Sequence, residues 1–417
     1  LAFVWCFSSF GERQKFDYIV LILDLKIDDK INYIYFRRLI VKCSLFCCKA
    51  VKAFSMNIIF HHPLPLNKHA KSASGIRPLR MLAAFEALGC QIDLVTGYTA
   101  ERKKCIAKIK ENIKQGKKYD FVYSESSTMP TVLTEPHHLP LHPLVDWFFF
   151  RFCKQNNMPI GLFYRDIYWL FDSYGDGLNP VKTLIAKFAY RCDLWVYQRT
   201  LTKLYLPSLE MGCYVPRVDP NIFEALPPGH NSPELYSSSF SEKRPLRLFY
   251  VGGLSNHYQL HKLFEAVSDL PKIELTICTR EAEWLAIKHE YPKPTSNIKI
   301  VHKSGSNMEA HLRACDVAVL FVKPQEYWEF ASPVKLYEYL GFHKPILASE
   351  GTLAGQFVHE KGVGWTVQYD VQEVKALLAK LLSNPEMRVP VLQNLERIGP
   401  NHSWQARAKQ VIEDLTS

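Results

Sequence analysis

The chain lacks most of the signals that settle a protein's class at once. None of its apolar runs, in 417 residues, reaches the ~20 that a membrane-spanning helix needs. Its 11 Cys form no C-x-x-C pair and no spaced Cys/His ligand set, which argues against structural zinc. Adjacent Cys47-Cys48 do not make a metal pair. Scattered thiols, odd in number, fit a reducing, cytosolic compartment. No D-x-D motif appears, and no DNA- or RNA-binding signature, so nucleic acid is not an expected partner.

What is present is positive charge and aromatic side chains. The formal charge is +10, with 21 Tyr, 25 Phe and 8 Trp. That balance fits a phosphorylated ligand or an anionic membrane surface. The length allows two or three domains.

Residues 1–55 differ from the rest. They are apolar and basic, hold four of the 11 Cys and show no helical periodicity. The first Met is Met56. Two readings compete: upstream sequence translated from an over-extended start, which fits better, and an amphipathic, membrane-touching extension. No apolar core with a small-residue cleavage site marks a signal peptide.

From Met56 onward, strand-like and helix-like segments alternate. Strands are expected at Ile58–Phe60, Gln91–Thr96, Phe121–Ser124, Ile160–Tyr164, Leu194–Tyr197 and Lys203–Pro207. Helices are expected at Arg77–Leu88, Ala100–Gln115, Pro143–Gln155 and Pro180–Tyr190. Residues 223–244, with Pro227-Pro228-Gly229 and Ser237-Ser238-Ser239, read as a linker. A second alternating series runs over 245–400, and an amphipathic helix closes the chain within 401–417. Alternation of this kind implies an α/β fold of parallel sheets. Two such units, 56–222 and 245–400, would face each other across a cleft, with ligands beyond the strands' carboxyl ends.

The strongest local pattern is Ser332-Pro333-Val334-Lys335-Leu336-Tyr337-Glu338, followed by Gly341 and Lys344-Pro345. Ser332 suits an N-cap and Pro333 the first helical position. A helix N-terminus plus Lys335 makes a seat for a diphosphate. Glu338, three residues on, could accept both hydrogen bonds of a ribose diol. Gly252-Gly253 after a strand would let backbone N–H groups approach a ligand closely, although a plain turn needs no more.

These residues resemble the donor site of GT-B fold glycosyltransferases, in the retaining family 4, or group 1, of bacterial surface-polysaccharide synthesis. Phe249–Ser255, Ala314–Leu320 and His402-Ser403-Trp404 resemble further segments of that family, in its order. The resemblance is good in the second unit and weak in the first. It implies two Rossmann-like domains, a C-terminal helix crossing back to the first, and a nucleotide-diphosphate-sugar donor. It implies a glycan or lipid-linked acceptor, retention of configuration, and no metal or other cofactor. Donor contacts would come from Gly252, Gly253, Ser332, Pro333, Lys335 and Glu338.

There are departures. Phe330 stands where many members carry a first glutamate, with Glu329 one residue off. Gly253 and Tyr258 replace a usual Arg and Lys, leaving Lys262 and Arg280 as candidate phosphate contacts. A degenerate binding subunit therefore stays open beside the transferase, as do other GT-B enzymes such as an epimerase or phosphorylase.

In the first unit, Lys71–Pro78 reads as a small-residue loop, with Gly75 and Arg77 as candidate cleft contacts. Arg165-Asp166 resembles a cleft-edge segment of the family. Asp166 would orient or deprotonate the acceptor hydroxyl, or merely pair with Arg165 to fix a loop. Glu125 is a second acid at a strand end. His61-His62, His137-His138 and His142 have no acidic partner at ligand spacing and are read as non-metal. The aromatic helix Pro143–Gln155 fits core packing, with an interfacial role as the alternative.

Overall fold

The structure, a computed structural model, describes residues 56–417 apart from 71, 173, 178, 232–243 and 256–257. The expected N-terminal extension and most of the expected linker lie outside the described residues.

The first sheet holds β1 (Asn57–His62), β2 (Gln91–Thr96), β3 (Phe121–Glu125), β4 (Ile160–Phe163), β5 (Lys203–Leu206) and β6 (Phe223–Ala225). All are parallel, in the order β2-β1-β3-β4-β5-β6. Connections run through α1 (Ala73–Ala87), α2 (Thr99–Lys114), α3 (Val145–Gln155) and α4 (Pro180–Thr200). Strands such as β3 are buried throughout, because helices cover both faces of a parallel sheet.

The second sheet holds β7 (Leu246–Val251), β8 (Ile273–Cys278), β9 (Ile298–Val301), β10 (Val317–Leu320), β11 (Ile346–Ser349) and β12 (Gly364–Val367). It is also all parallel, ordered β12-β11-β10-β7-β8-β9. Its helices are α5 (His261–Ser268), α6 (Glu281–Ile287), α7 (Ser306–Ala314), α8 (Val334–Gly341), α9 (Leu353–Lys361), α10 (Val371–Ser383) and α11 (Val389–Ile398). Strand order reverses between β7 and β10, and between β1 and β3. Those reversals are where open α/β sheets form ligand crevices.

The last helix, α12 (Trp404–Thr416), belongs to neither series. Side chains alternate along β1, so Ile59 packs on one face with Val122 and Phe150, while Ile58 and Phe60 pack on the other. That other face is closed by Trp404, Ala408, Val411 and Leu415 of α12. The chain thus returns from the second sheet to complete the first core.

The outgoing and returning chains meet at His230 and Ser403, which form a parallel bridge. His230 N–H donates to the His402 carbonyl, and Trp404 N–H to the His230 carbonyl, both at 3.0 Å. Gly229 makes this approach possible. A Cβ there would lie 2.7 Å from the Trp404 nitrogen and 2.8 Å from the Ser403 carbonyl carbon.

Some expectations change. Leu194–Tyr197 is not a strand but part of α4, whose buried residues Tyr190, Asp193, Leu194 and Tyr197 keep helical spacing. A four-residue apolar run does not distinguish the two by periodicity. Phe223–Ala225, read as linker, is the edge strand paired with β5. The loop expected over Lys71–Pro78 is helical from Ala73 onward, where α1 begins. Elements α9, β12 and α11 had no sequence expectation.

Gly229→Ala should force the two crossing segments apart. A loss of about 1–3 kcal/mol is expected, the scale of overpacking a tight site. Chemical unfolding measures it, and an unchanged midpoint would contradict the close approach.

Candidate functional site

The site forms around the first turn of α8. Pro333 is the N-cap, and Val334 begins the helix. Ser332 is therefore not the cap it was expected to be; its hydroxyl shares a 2.9 Å hydrogen bond with the Tyr337 hydroxyl. Pro333 can fill this position because its extended backbone, φ −72° and ψ 136°, already has cap geometry.

Lys335 reaches back from α8 to the loop after β7. Its Nζ lies 4.9 Å from the Tyr250 ring centre and 4.6 Å from that of Tyr258. Any Cβ at Gly252 would overlap this ammonium. Gly252 thus makes room for a cation, besides baring its backbone. Burial pulls the amine down to about 8, against the opposing influence of Glu338 and Glu283. Tyr258, in place of a lysine, gives this ammonium a π face rather than a like charge.

Glu338 lies one turn further along α8, and burial raises its carboxyl while Lys335 lowers it. Arg280 ends beside Gly253, where an added Cβ would lie 3.9 Å from its Nη2. Lys262 pairs with Glu265 at 3.4 Å on α5, both side chains about half exposed. Lys344, in the same motif, is structural: its Nζ donates to the Arg313 and Cys315 carbonyls at 2.7 and 2.9 Å.

Sequence reasoning missed Glu283. Its carboxylate pairs with Arg280 and accepts from the Leu254 N–H and the Thr279 hydroxyl, each at 3.4 Å. It shares Lys335's electrostatic surroundings as well. A carboxylate of the chain therefore sits among the groups expected to meet an anion. Its i,i+3 spacing from Arg280 was the only sequence signal.

The first sheet supplies the facing wall. A cavity of about 450 Å³ is lined by Arg165, Asp166, Pro207 and Met211 from this side. Tyr258, Tyr327, Trp328 and residues 330–333 complete it. Asp166 thus faces Ser332 and Pro333. Its Oδ1 accepts from the Tyr168 N–H at 2.9 Å, and burial pushes its carboxyl up. A larger cavity, about 750 Å³, adjoins through Ser332 and Pro333 and extends to Tyr337, Phe357 and His402.

The other first-sheet candidates serve the chain itself. Gly75 lies in the first turn of α1, where a Cβ would collide with Ala70 at 2.5 Å. Arg77 is buried: its Nε lies 3.3 Å from Glu125, and its Nη2 donates to the Leu226 carbonyl at 3.1 Å. Arg165 also pairs with Glu125, at 3.3 Å, rather than fixing Asp166 by a salt bridge. Tyr123 donates to the same carboxylate at 2.9 Å. The buried Arg77 and the partly buried Arg165 thus share one buried acid.

Phe330 explains the absent first glutamate. It packs with Phe171 and Tyr214, ring centres 5.9 and 4.9 Å away, inside the first unit's core. Ser208 Oγ donates to its carbonyl at 2.6 Å. A carboxylate in that place would face aromatic rings. Glu329 is exposed.

The paired histidines do have an acidic partner, distant in sequence. His61 Nε2 lies 3.0 Å from Asp146, which Arg102 grips through both carboxylate oxygens. His62 Nδ1 meets the Glu125 carbonyl at 3.0 Å. Among the described residues, no group of three His, Cys, Asp or Glu is placed to hold a metal.

Two facing doubly wound sheets with a C-terminal crossover helix define the GT-B architecture of glycosyltransferases. Residues 232–396, the stretch containing most of the second unit, match the family model for glycosyl transferases group 1. No curated protein matches the chain. Among solved structures, HepE from Anabaena, in complex with UDP and glucose, aligns with a TM-score of 0.57 and 13% identity. That alignment covers 87% of this chain and 99% of HepE. Sucrose-phosphate synthase from Thermosynechococcus elongatus aligns at 0.56 and 15%, covering 85% and 97%. WaaG, a glycosyltransferase involved in lipopolysaccharide biosynthesis, aligns at 0.54 and 14%, covering 86% and 100%. At such identities the likeness is one of fold.

The Glu125 arrangement makes a testable demand. Glu125→Gln would leave Arg77 and Arg165 buried without their counter-charge. Breaking such a group typically costs about 3–5 kcal/mol. Urea unfolding reads the loss, and a change within error would show that the arginines find another anion.

Proposed function

We propose that the chain is a glycosyltransferase that moves a sugar from a nucleoside diphosphate to an acceptor hydroxyl. The observation that carries this reading is the Lys335 ammonium tucked onto Gly252 at the N-terminus of α8, with Glu338 one turn on. The group 1 match over the same region supports it. So does the UDP-glucose bound by HepE, whose fold is similar.

In this reading the diphosphate lies against Gly252, Gly253 and the first turn of α8, at Ser332 and Pro333. Lys335 and Arg280 neutralise it, and Glu283 gives up its contacts to it. Glu338 accepts hydrogen bonds from the ribose hydroxyls. The sugar projects toward the cavity lined by Asp166. The bond between its anomeric carbon and the diphosphate oxygen breaks as the acceptor oxygen bonds to that carbon. Asp166 orients the acceptor and takes its proton. The departing diphosphate gains charge where cations and helix N–H groups are already placed, the preorganisation that lowers such barriers. Retention of configuration, independence from metal, and a glycan or lipid-linked acceptor of surface-polysaccharide synthesis rest on family resemblance. The same holds for a location on the cytoplasmic side of the cell. Lys262, paired with Glu265 on α5, is assigned no contact in this reading.

Transfer and hydrolysis assays over a panel of nucleotide sugars test the reaction. Nucleotide binding without turnover for any donor would make the chain a binding subunit, a reading that Gly253 and Tyr258 keep alive. Binding of no nucleotide would sink both readings.

Glu338→Ala should weaken nucleoside-diphosphate binding roughly tenfold to a hundredfold, the value of about 1.5–3 kcal/mol for hydrogen bonds to a charged group. Calorimetry measures it, and undiminished affinity would remove Glu338 from the site.

Lys335 gives a pH signature. Its amine, near 8 when free, is held protonated by a bound diphosphate, so binding takes up a proton above pH 8. Affinity should then fall by up to about tenfold per pH unit above 8, and change far less in Lys335→Met. A flat profile from pH 7 to 9.5 would refute the contact.

A further inference from the structure

Among the described residues, the wall that faces Asp166 carries no acid. The cavity of about 450 Å³ takes Tyr258, Tyr327, Trp328 and residues 330–333 from the second unit. None of these has a carboxylate, a carboxamide or an ammonium group. A smaller cavity, about 320 Å³, shares Tyr258, Trp328 and Pro333 with it and adds Leu320, Val322 and Ala354 beside Lys335. Two hydroxyls there are engaged within the chain. Tyr250 donates to the Gly253 carbonyl at 2.7 Å, and Thr352 to the Ser349 carbonyl at 2.9 Å.

The chain builds this wall by turning its acids away. Glu326–Glu329 forms a short 3-10 turn, in which side chains three residues apart share an edge. Glu326 and Glu329 are therefore on the same edge, and both are exposed. Tyr327 and Trp328, between them, line the cavity instead. Their rings meet edge to face, centres 5.4 Å apart. Trp328 meets Tyr258 in the same way at 5.1 Å, and Tyr327 meets Phe330 at 5.4 Å. Four rings thus form one connected aromatic array, and it occupies the place where a carboxylate was expected to touch the sugar.

Such a wall selects among sugars. A hexose carried on a diphosphate brings several hydroxyls into the cavity. A hydroxyl set against ring carbons loses water without gaining a partner, and that costs binding. The exocyclic carbon is where hexoses differ most in this respect. In an ordinary hexose it bears a hydroxyl. In a 6-deoxyhexose it is a methyl group, which gains from burial against aromatic rings. The sugar then has one apolar edge for the second unit's wall and keeps its ring hydroxyls for the opposite one.

We propose that the donor sugar is a 6-deoxyhexose, its methyl group lodged against Trp328 and Phe330 and its ring hydroxyls turned toward Asp166 and the open cleft. This deepens the donor-site reading and rests on it, because the sugar must lie in the cavity that Asp166 lines.

The test uses the full chain and pairs of donors that share base and stereochemistry and differ only in the hydroxyl on the exocyclic carbon. The pairs are GDP-mannose with GDP-D-rhamnose, UDP-N-acetylglucosamine with UDP-N-acetylquinovosamine, and dTDP-glucose with dTDP-6-deoxyglucose. Calorimetry reads each donor's affinity relative to its own nucleoside diphosphate, and hydrolysis reads relative kcat/KM. With the base that binds best, the 6-deoxy member should be favoured about tenfold to a hundredfold, the discrimination an apolar pocket exerts against an added hydroxyl. Ala331→Ser, which puts one hydroxyl on the wall, should narrow that preference at least about threefold by improving the hydroxylated donor; its melting temperature checks that it folds. A hydroxylated donor that binds as well as its 6-deoxy partner would overturn the proposal and leave the donor-site reading standing. An unchanged preference in Ala331→Ser would overturn the placement of the methyl group. Failure of every nucleoside diphosphate to bind would sink the donor-site reading and this proposal with it.

Discussion

The constraint on which the rest depends is the return of the chain to the first sheet. One face of that sheet is covered by α12, so Ile58 and Phe60 pack against residues more than 300 positions later. The first unit is not closed by its own sequence. The two units must therefore be joined by two chain crossings, and the His230–Ser403 bridge holds these side by side. A cleft bounded at one end by a paired crossing can place groups from both walls in register. That is how Asp166 comes to share a cavity with Ser332 and Pro333.

Charge follows two different rules in the two walls. In the first, Arg77 and Glu125 are buried, Arg165 reaches the same carboxylate from the cavity wall, and these protein partners occupy the geometry. In the second, Lys335, Arg280, Glu283 and Glu338 sit at the surface of a crevice, where Arg280 and Glu283 form an ion pair three residues apart at the start of α6. Desolvating Lys335 without a tight carboxylate partner lowers its pKa to about 8. A group held this way gains from an incoming anion. The first wall spends its charge on stability, whereas the second keeps an electrostatic vacancy.

Much of this was legible in sequence, for local reasons. Alternating apolar runs, and the Gly252-Gly253 and Ser332–Glu338 patterns, depend on neighbours within one or two turns. The α/β class and the position of α8 follow from them. What sequence could not show were partners set by the tertiary fold. Asp146 meets His61 from 85 residues away, so ligand-spacing logic missed it. Arg77 appeared available for a ligand because Glu125 and Leu226 are distant in the chain. Ser332 was a reasonable cap by type, but Tyr337 claims its hydroxyl. The α4 boundary failed because Leu194–Tyr197 is apolar in a way that fits strand or helix.

Helix α8 also links the site to the crossing. Before its first turn, Phe330 sits in the first unit's aromatic core, anchored by Ser208. At its last residue, Gly341 lies so close to His230 that a Cβ would approach the imidazole to 2.6 Å. Midway, the Tyr337 ring lies 5.7 Å from that of His402, beside the returning chain. The helix bearing Lys335 and Glu338 is thus fastened to the first unit before its start and to both crossings further along. Rotation of the second sheet against the first cannot leave α8 indifferent: either Phe330 leaves its aromatic pocket or α8 shifts against β7. The second movement would change the seat of the Lys335 ammonium on Gly252, which coordinates the state of the cleft with the geometry of the group best placed to meet the diphosphate.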